Sequence, residues 1–171
     1  MDIRDLRVAW FADNGIETPT AETMTTVRAA ADALRDAGAT VEERMPPDQG
    51  RAADLWDRLI RADGHAWLWR LIKGAGTEGV GSYAGKAAWV TETSPLPGDE
   101  LTALVEAVDD VRASLLRWMR GVDLIVSPVL PNVALPHGVG FTPAFADSYS
   151  EVHNLTGWPA AVVRGGTSPE G

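Results

Sequence analysis

Apolar residues change their spacing along the chain, and each change marks an element. Leu6-Arg7-Val8-Ala9-Trp10-Phe11 is a short apolar run that stops at Asp13-Asn14-Gly15, a turn signal, and predicts a first strand. Thr18-Pro19 opens a helix, because proline suits the first helical position and Thr18 can cap the free amides. Met24, Val27, Ala31 and Leu34 then recur at helical spacing, and Gly38 closes the element. Thr40-Val41-Glu42-Glu43 reads as a second, edge-like strand stopped by Pro46-Pro47. A strand, helix and strand in this order predict a right-handed crossover into a parallel pair.

The middle of the chain has helical spacing. Leu55, Leu59, Trp67, Leu68 and Leu71 fall on one side between Ala52 and Ile72, with Gly64 interrupting the run. A glycine-rich loop, Gly74 to Gly81, leads to a shorter helix over Ser82 to Val90, and Ser94-Pro95-Leu96-Pro97-Gly98 breaks the pattern. Asp99 is the expected cap of a long helix to about Arg120, with Leu101, Leu104, Val108, Leu115, Trp118 and Met119 on its apolar face. Arg117 and Arg120 lie near its C-terminal end, where the helix dipole favours cations.

Leu124-Ile125-Val126 is a continuous apolar run, as expected of an interior strand covered on both faces. Asn154 to Pro159 reads as a turn feeding another strand, Ala160-Ala161-Val162-Val163, and Gly165-Gly166 as the turn after it. That last strand has no partner to return to, so the expectation is an unpaired edge and a piece of a larger fold. The core is expected to include Val8, Trp10, Val27, Leu34, Leu104, Val108, Leu115, Ile125 and Val162.

Composition narrows the function classes. The 171 residues are enough for one domain with its own core, and 45% apolar with 23% charged residues is a globular balance. A net charge of −9 without a basic run argues against a nucleic-acid partner. With no cysteine, disulfides and thiolate zinc sites are excluded. No apolar run approaches a membrane span and Met1 to Asp5 has no signal-peptide core, so a soluble cytoplasmic protein is expected.

Candidate chemistry is sparse. Gly74-Ala75-Gly76-Thr77-Glu78-Gly79 has the spacing of a phosphate loop but follows a helix rather than a strand, which makes it an ordinary loop. His65, His137 and His153 are far apart and give no metal spacing, so neither metal nor cofactor is expected. No serine sits in a nucleophile elbow. Ser150, Glu151 and His153 are close in sequence, but near neighbours rarely supply triad geometry, and a cap or turn role is expected of them. Lys73 and Lys86 are the only lysines, and neither adjoins a Gly/Ser-rich stretch. Ser127-Pro128 follows a buried strand, where open sheets put ligand-facing loops; the other reading is a rigid connection. Trp56, Trp67 and Trp69 crowd one helical region, either lining a pocket or packing a helix hairpin.

Three segments in order carry a family resemblance: Asp123-Leu124-Ile125-Val126-Ser127-Pro128-Val129-Leu130-Pro131, then Pro136-His137-Gly138, then Asn154-Leu155-Thr156-Gly157-Trp158-Pro159-Ala160. Together they resemble the C-terminal part of amidase-signature hydrolases, which cleave amide carbon–nitrogen bonds. That family works with two serines and a lysine carried upstream in a Gly/Ser-rich stretch, and nothing here matches it. The resemblance therefore implies no catalytic residue in this chain, a small amide as substrate of the complete protein, and inactivity of the chain alone.

The resemblance also implies that Phe141 to Tyr149 forms one wall of the substrate pocket, so Phe141, Phe145, Asp147 and Tyr149 join Ser127, singled out by its place after the strand, as candidate substrate-binding residues. For Asp147, substrate contact and a cap or turn role both stand. Facing a missing half, this loop is expected to be mobile and partly exposed. Its aromatic residues and the edge at Ala160 to Val163 would then favour self-association.

The expected architecture is one α/β unit over 1–171. It comprises a strand–helix–strand over 1–45, a helical region over 51–120, and strands with the pocket-wall loop over 121–171. Three or four mostly parallel strands are flanked by helices. The alternative to an amidase fragment is a non-catalytic small α/β binding or interaction module.

Overall fold

The computed structural model describes residues 2–76, 93–134 and 148–167. Outside them lie the expected helix at Ser82 to Val90, the second half of the glycine motif, Lys86, His137, and the candidates Phe141, Phe145 and Asp147.

Three parallel strands form the sheet: β1 (Arg7–Trp10), β2 (Thr40–Glu43) and β3 (Leu124–Val126), in the order β2-β1-β3. Val8 pairs with Val41 on one side of β1 and Leu124 on the other. Helix α1 (Ala21–Asp36) is the crossover from β1 to β2, so the parallel unit read from the first forty residues is present. The N-cap is Thr20 rather than Thr18. Its hydroxyl accepts from the Thr23 amide at 3.3 Å, and its own amide donates to the Pro131 carbonyl at 2.8 Å. Gly38, at φ 102°, supplies the left-handed residue just past the helix end.

Two expectations about the sheet are corrected. β3 is an edge strand among the described residues, not an interior one: Leu124 is 39% exposed, and Ile125 and Val126 are only half-buried. Ala160 to Val163 is not a strand. Val162 and Val163 are 73% and 82% exposed, so Val162 leaves the expected core. The common reason is that strand structure needs a paired neighbour, and among the described residues β3 pairs only with β1.

The helices make the larger core. α2 (Gln49–Ile60) and α3 (Ala66–Gly74) are separated at Gly64, where φ is 67° and an added Cβ would meet the Thr93 carbonyl oxygen. α4 (Gly98–Trp118) begins after Pro97, so Asp99 lies in the first turn, favoured by the dipole, and is not the cap. Helix α5 (Ser148–Thr156) stands where a turn was expected. Tyr149, Val152 and Leu155, spaced by three, are all buried, and Gly157 at φ 69° ends the helix. Val152 and Leu155 join Ala52 and Leu55 of α2 and Leu104, Val108, Val111 and Leu115 of α4. A second cluster, Trp10 with Val27 and Ala31, joins α1 to the sheet. Each fully buried leucine contributes on the order of 1.5–3 kcal/mol.

Trp56 packs against the helical core, and the Trp67 indole donates to the Ile60 carbonyl at 3.4 Å, so these two tryptophans serve the helices. Among the described residues no helix is long and apolar enough to cross a membrane.

Candidate functional site

Helix α5 is fastened to the loop after β1 by a buried polar cluster. Asn14, 2% exposed, accepts the Ile16 and Glu17 amides at 3.0 Å through Oδ1 and donates from Nδ2 to the Ser148 hydroxyl at 2.8 Å. Ser148 donates to the Glu17 carboxylate. The Tyr149 hydroxyl donates to the Glu17 carbonyl at 2.7 Å, lies 3.1 Å from the Ala12 carbonyl, and accepts from the Asn14 amide at 3.3 Å. Burial raises the Tyr149 phenol above its ordinary value, so it stays protonated and able to donate. At the other end of the helix, Arg112 Nε donates to the Leu155 carbonyl at 2.9 Å.

Held in this way, α5 forms one wall of a cavity of about 530 Å³ beside β3. Leu116 and Met119 from the end of α4, Leu124 and Ile125 of β3, and Trp158 and Val162 give it apolar walls. Ser127, Ser150, His153, Asn154 and the carboxylate of Asp123 are among its polar lining groups. Burial lowers the His153 imidazole below its usual value, because the charged form loses solvation, so the ring is neutral at pH 7. Asp123, which also lines the cavity, accepts from the Arg7 amide and Nε at 2.9 Å and from Nη2 at 2.8 Å, which holds its carboxyl down at about 2.

A second cavity, of about 640 Å³, lies between α1 and the stretch after β3. Val27 of α1, Val126, Val129, Val133 and Val163 line it. Ile125 faces the first cavity and Val126 the second. Leu124 also lines the first, and Pro128, Val129 and Val162 line both, so the two cavities adjoin along β3 and the stretch after it.

Of the residues singled out in the sequence, Ser127 and Tyr149 meet at the first cavity, together with Ser150 and His153. Tyr149 is 1% exposed and fixed by hydrogen bonds, which corrects the expectation of a mobile, exposed residue there. Ser150 and His153 lie on a helix rather than in a turn, one turn apart on the same face. Glu151 is offset by one and two positions from them, a spacing at which helix side chains do not face each other. Lys73 lies in the last turn of α3 and lines neither cavity. His65 is buried at the start of α3, with φ 65°. Among the described residues no cluster of His, Asp or Glu could hold a metal.

Sequence reasoning missed the Asn14–Ser148 cluster and the share of α4 in the cavity. Asp13-Asn14-Gly15 was legible as a turn, but its bonds to α5 span more than 130 positions.

No family model matches the chain, and no curated protein is similar to it in sequence. Among solved structures its fold is similar to that of a fatty acid amide hydrolase, with a TM-score of 0.75 over 91% of this chain. At 23% identity the likeness is one of fold. The chain spans 27% of the length of that enzyme.

Proposed function

We propose that the chain is part of an amidase-type hydrolase acting on amide carbon–nitrogen bonds, to which it supplies sheet and one wall of the substrate pocket. The observation that carries this reading is the fold likeness, 91% of the chain at a TM-score of 0.75, to a fatty acid amide hydrolase. The first cavity supports it, being largely apolar with a few polar groups, the usual make-up of a small-molecule site. In this reading the apolar wall takes the hydrocarbon part of an acyl or aryl amide, and Ser127 and His153 hydrogen-bond its polar part. The two serines and the lysine of the chemistry come from elsewhere in the complete fold, no cofactor is called for, and the chain alone is inactive.

Ammonia release from aliphatic and aromatic amides tests this. The chain alone should give no turnover, and co-expression with a polypeptide carrying the Gly/Ser-rich Ser-Ser stretch and lysine of amidase-signature enzymes should restore it. No turnover in either condition overturns the reading. Turnover by the chain alone that is lost in Ser150→Ala or His153→Ala would move catalysis to this cavity.

A second reading, a non-catalytic α/β binding module, is favoured by the buried Asn14–Ser148–Tyr149 cluster, which fastens α5 to the unit's own loop after β1. Amide binding without turnover in any pairing would support it.

A further inference from the structure

We infer that the first cavity selects its ligand by charge: it takes an uncharged carboxamide with an apolar chain and turns away the corresponding carboxylate, so that substrate is held and acid product is released. Three observations meet here. Ser150, His153 and Asn154 stand at i, i+3 and i+4 on α5 and all line the cavity, so one stripe of the helix presents a hydroxyl, an imidazole and a carboxamide. Leu124 and Ile125 of β3, with Leu116, Trp158 and Val162, line the same cavity with apolar side chains. The charged group among its described lining residues is the carboxylate of Asp123, and the Arg7 guanidinium that balances it is already engaged through Nε and Nη2.

Every group on the stripe is neutral at pH 7. Burial keeps the His153 imidazole uncharged, and its Nδ1 is buried without a partner among the described residues, which leaves Nε2 as the nitrogen that can reach a ligand. A buried N–H without a partner is rarer than an under-satisfied acceptor, so the proton belongs on Nε2, where it can be donated to a carbonyl oxygen. A carboxamide meets the stripe as both donor and acceptor. A carboxylate only accepts, gives up its hydration against apolar walls, and meets the Asp123 carboxylate instead of a free cation. Amide hydrolysis makes this change of charge. The hydroxyl of water goes to the carbonyl carbon as the C–N bond breaks, the amine leaves with the other proton of water, and at neutral pH the acid gives its own proton to that amine. The link to product release rests on the amidase-type reading, while the selection by charge does not.

The probes are hexanamide and hexanoate, which share one apolar chain and differ in charge. Binding to the full chain at pH 7 is followed by NMR through the His153 ring and the backbone amides of α5. Hexanamide should bind about tenfold more tightly than hexanoate, or better. Leu116→Lys puts a cation on the cavity wall at an exposed position outside the core, and should tighten hexanoate by about tenfold and erase the preference. Leu116→Gln, which adds no charge, should keep the preference. Equal binding of the two probes, no binding of hexanamide at millimolar concentration, or a preference that Leu116→Lys leaves unchanged or Leu116→Gln also erases overturns the proposal. An amide preference that holds when co-expression restores no amide turnover overturns the amidase-type reading alone, and restored turnover with equal binding overturns the charge selection alone.

Discussion

The hydroxyl of Tyr149 donates to the backbone carbonyl of Glu17 at 2.7 Å, across a sequence separation of 132 residues. This bond, with the contacts of Asn14 and Ser148 beside it, sets where α5 stands and therefore where Ser150 and His153 meet the cavity.

Tyr149→Phe should destabilise the chain by about 1–3 kcal/mol, because it leaves buried carbonyls and the Asn14 amide without the hydroxyl. The midpoint of urea unfolding reads this directly. A change below about 0.5 kcal/mol would mean that water replaces the hydroxyl and that the cluster is open to solvent.

Burial predicts a difference between two truncations. Leu115 is fully buried in the helical core, and Leu115→Ala should cost about 2–5 kcal/mol. Ile125 is half-buried on an edge strand, so Ile125→Ala should cost clearly less, about 1–2 kcal/mol. Equal costs would place β3 inside a covered sheet and contradict the strand order found.

Why one strand was legible and another was not follows from where the information lies. β1, α1 and β2 were readable because periodicity, the turn at Asn14 and Gly38 are all local. The place of Leu124 to Val126 in the sheet is not local: an apolar run marks a strand but does not say how many neighbours it has. Ala160 to Val163 carries strand-forming residues and stays unpaired for the same reason. Over 148–156, Asn154 and Gly157 outweighed the spacing of Tyr149, Val152 and Leu155, which was the true signal of a helix. Of the candidate site, Ser127 and Tyr149 stood out in the sequence on separate grounds and both line the first cavity, while Leu116 and Met119 depend on how α4 ends.

The carboxyl of Asp123 should titrate at about 2 by NMR, held down by its bonds to Arg7. Its folded value lies below its unfolded one, so its contribution to stability is fully present above the ordinary carboxylate range. That contribution is lost as pH falls through about 2. Arg7→Gln should return the carboxyl toward its ordinary value, and because the pair is exposed, high salt should move it the same way. A value insensitive to both changes would trace the shift to something other than this pair.

His153 offers the test closest to the cavity. Nδ1 is buried without a hydrogen-bond partner among the described residues, and burial lowers the ring below its ordinary value. The unfolded chain therefore takes up a proton on this residue at a higher pH than the folded one does. The sign follows: stability is full above the unfolded value of about 6.5 and falls as pH drops from there through the lowered folded value. His153→Phe should remove that part of the pH dependence, and an NMR titration of the ring should give a midpoint below that of a free histidine. A midpoint at or above the ordinary value would require a carboxylate against the ring. The wall would then be wet and charged, and an apolar acyl or aryl group would have no reason to bind there.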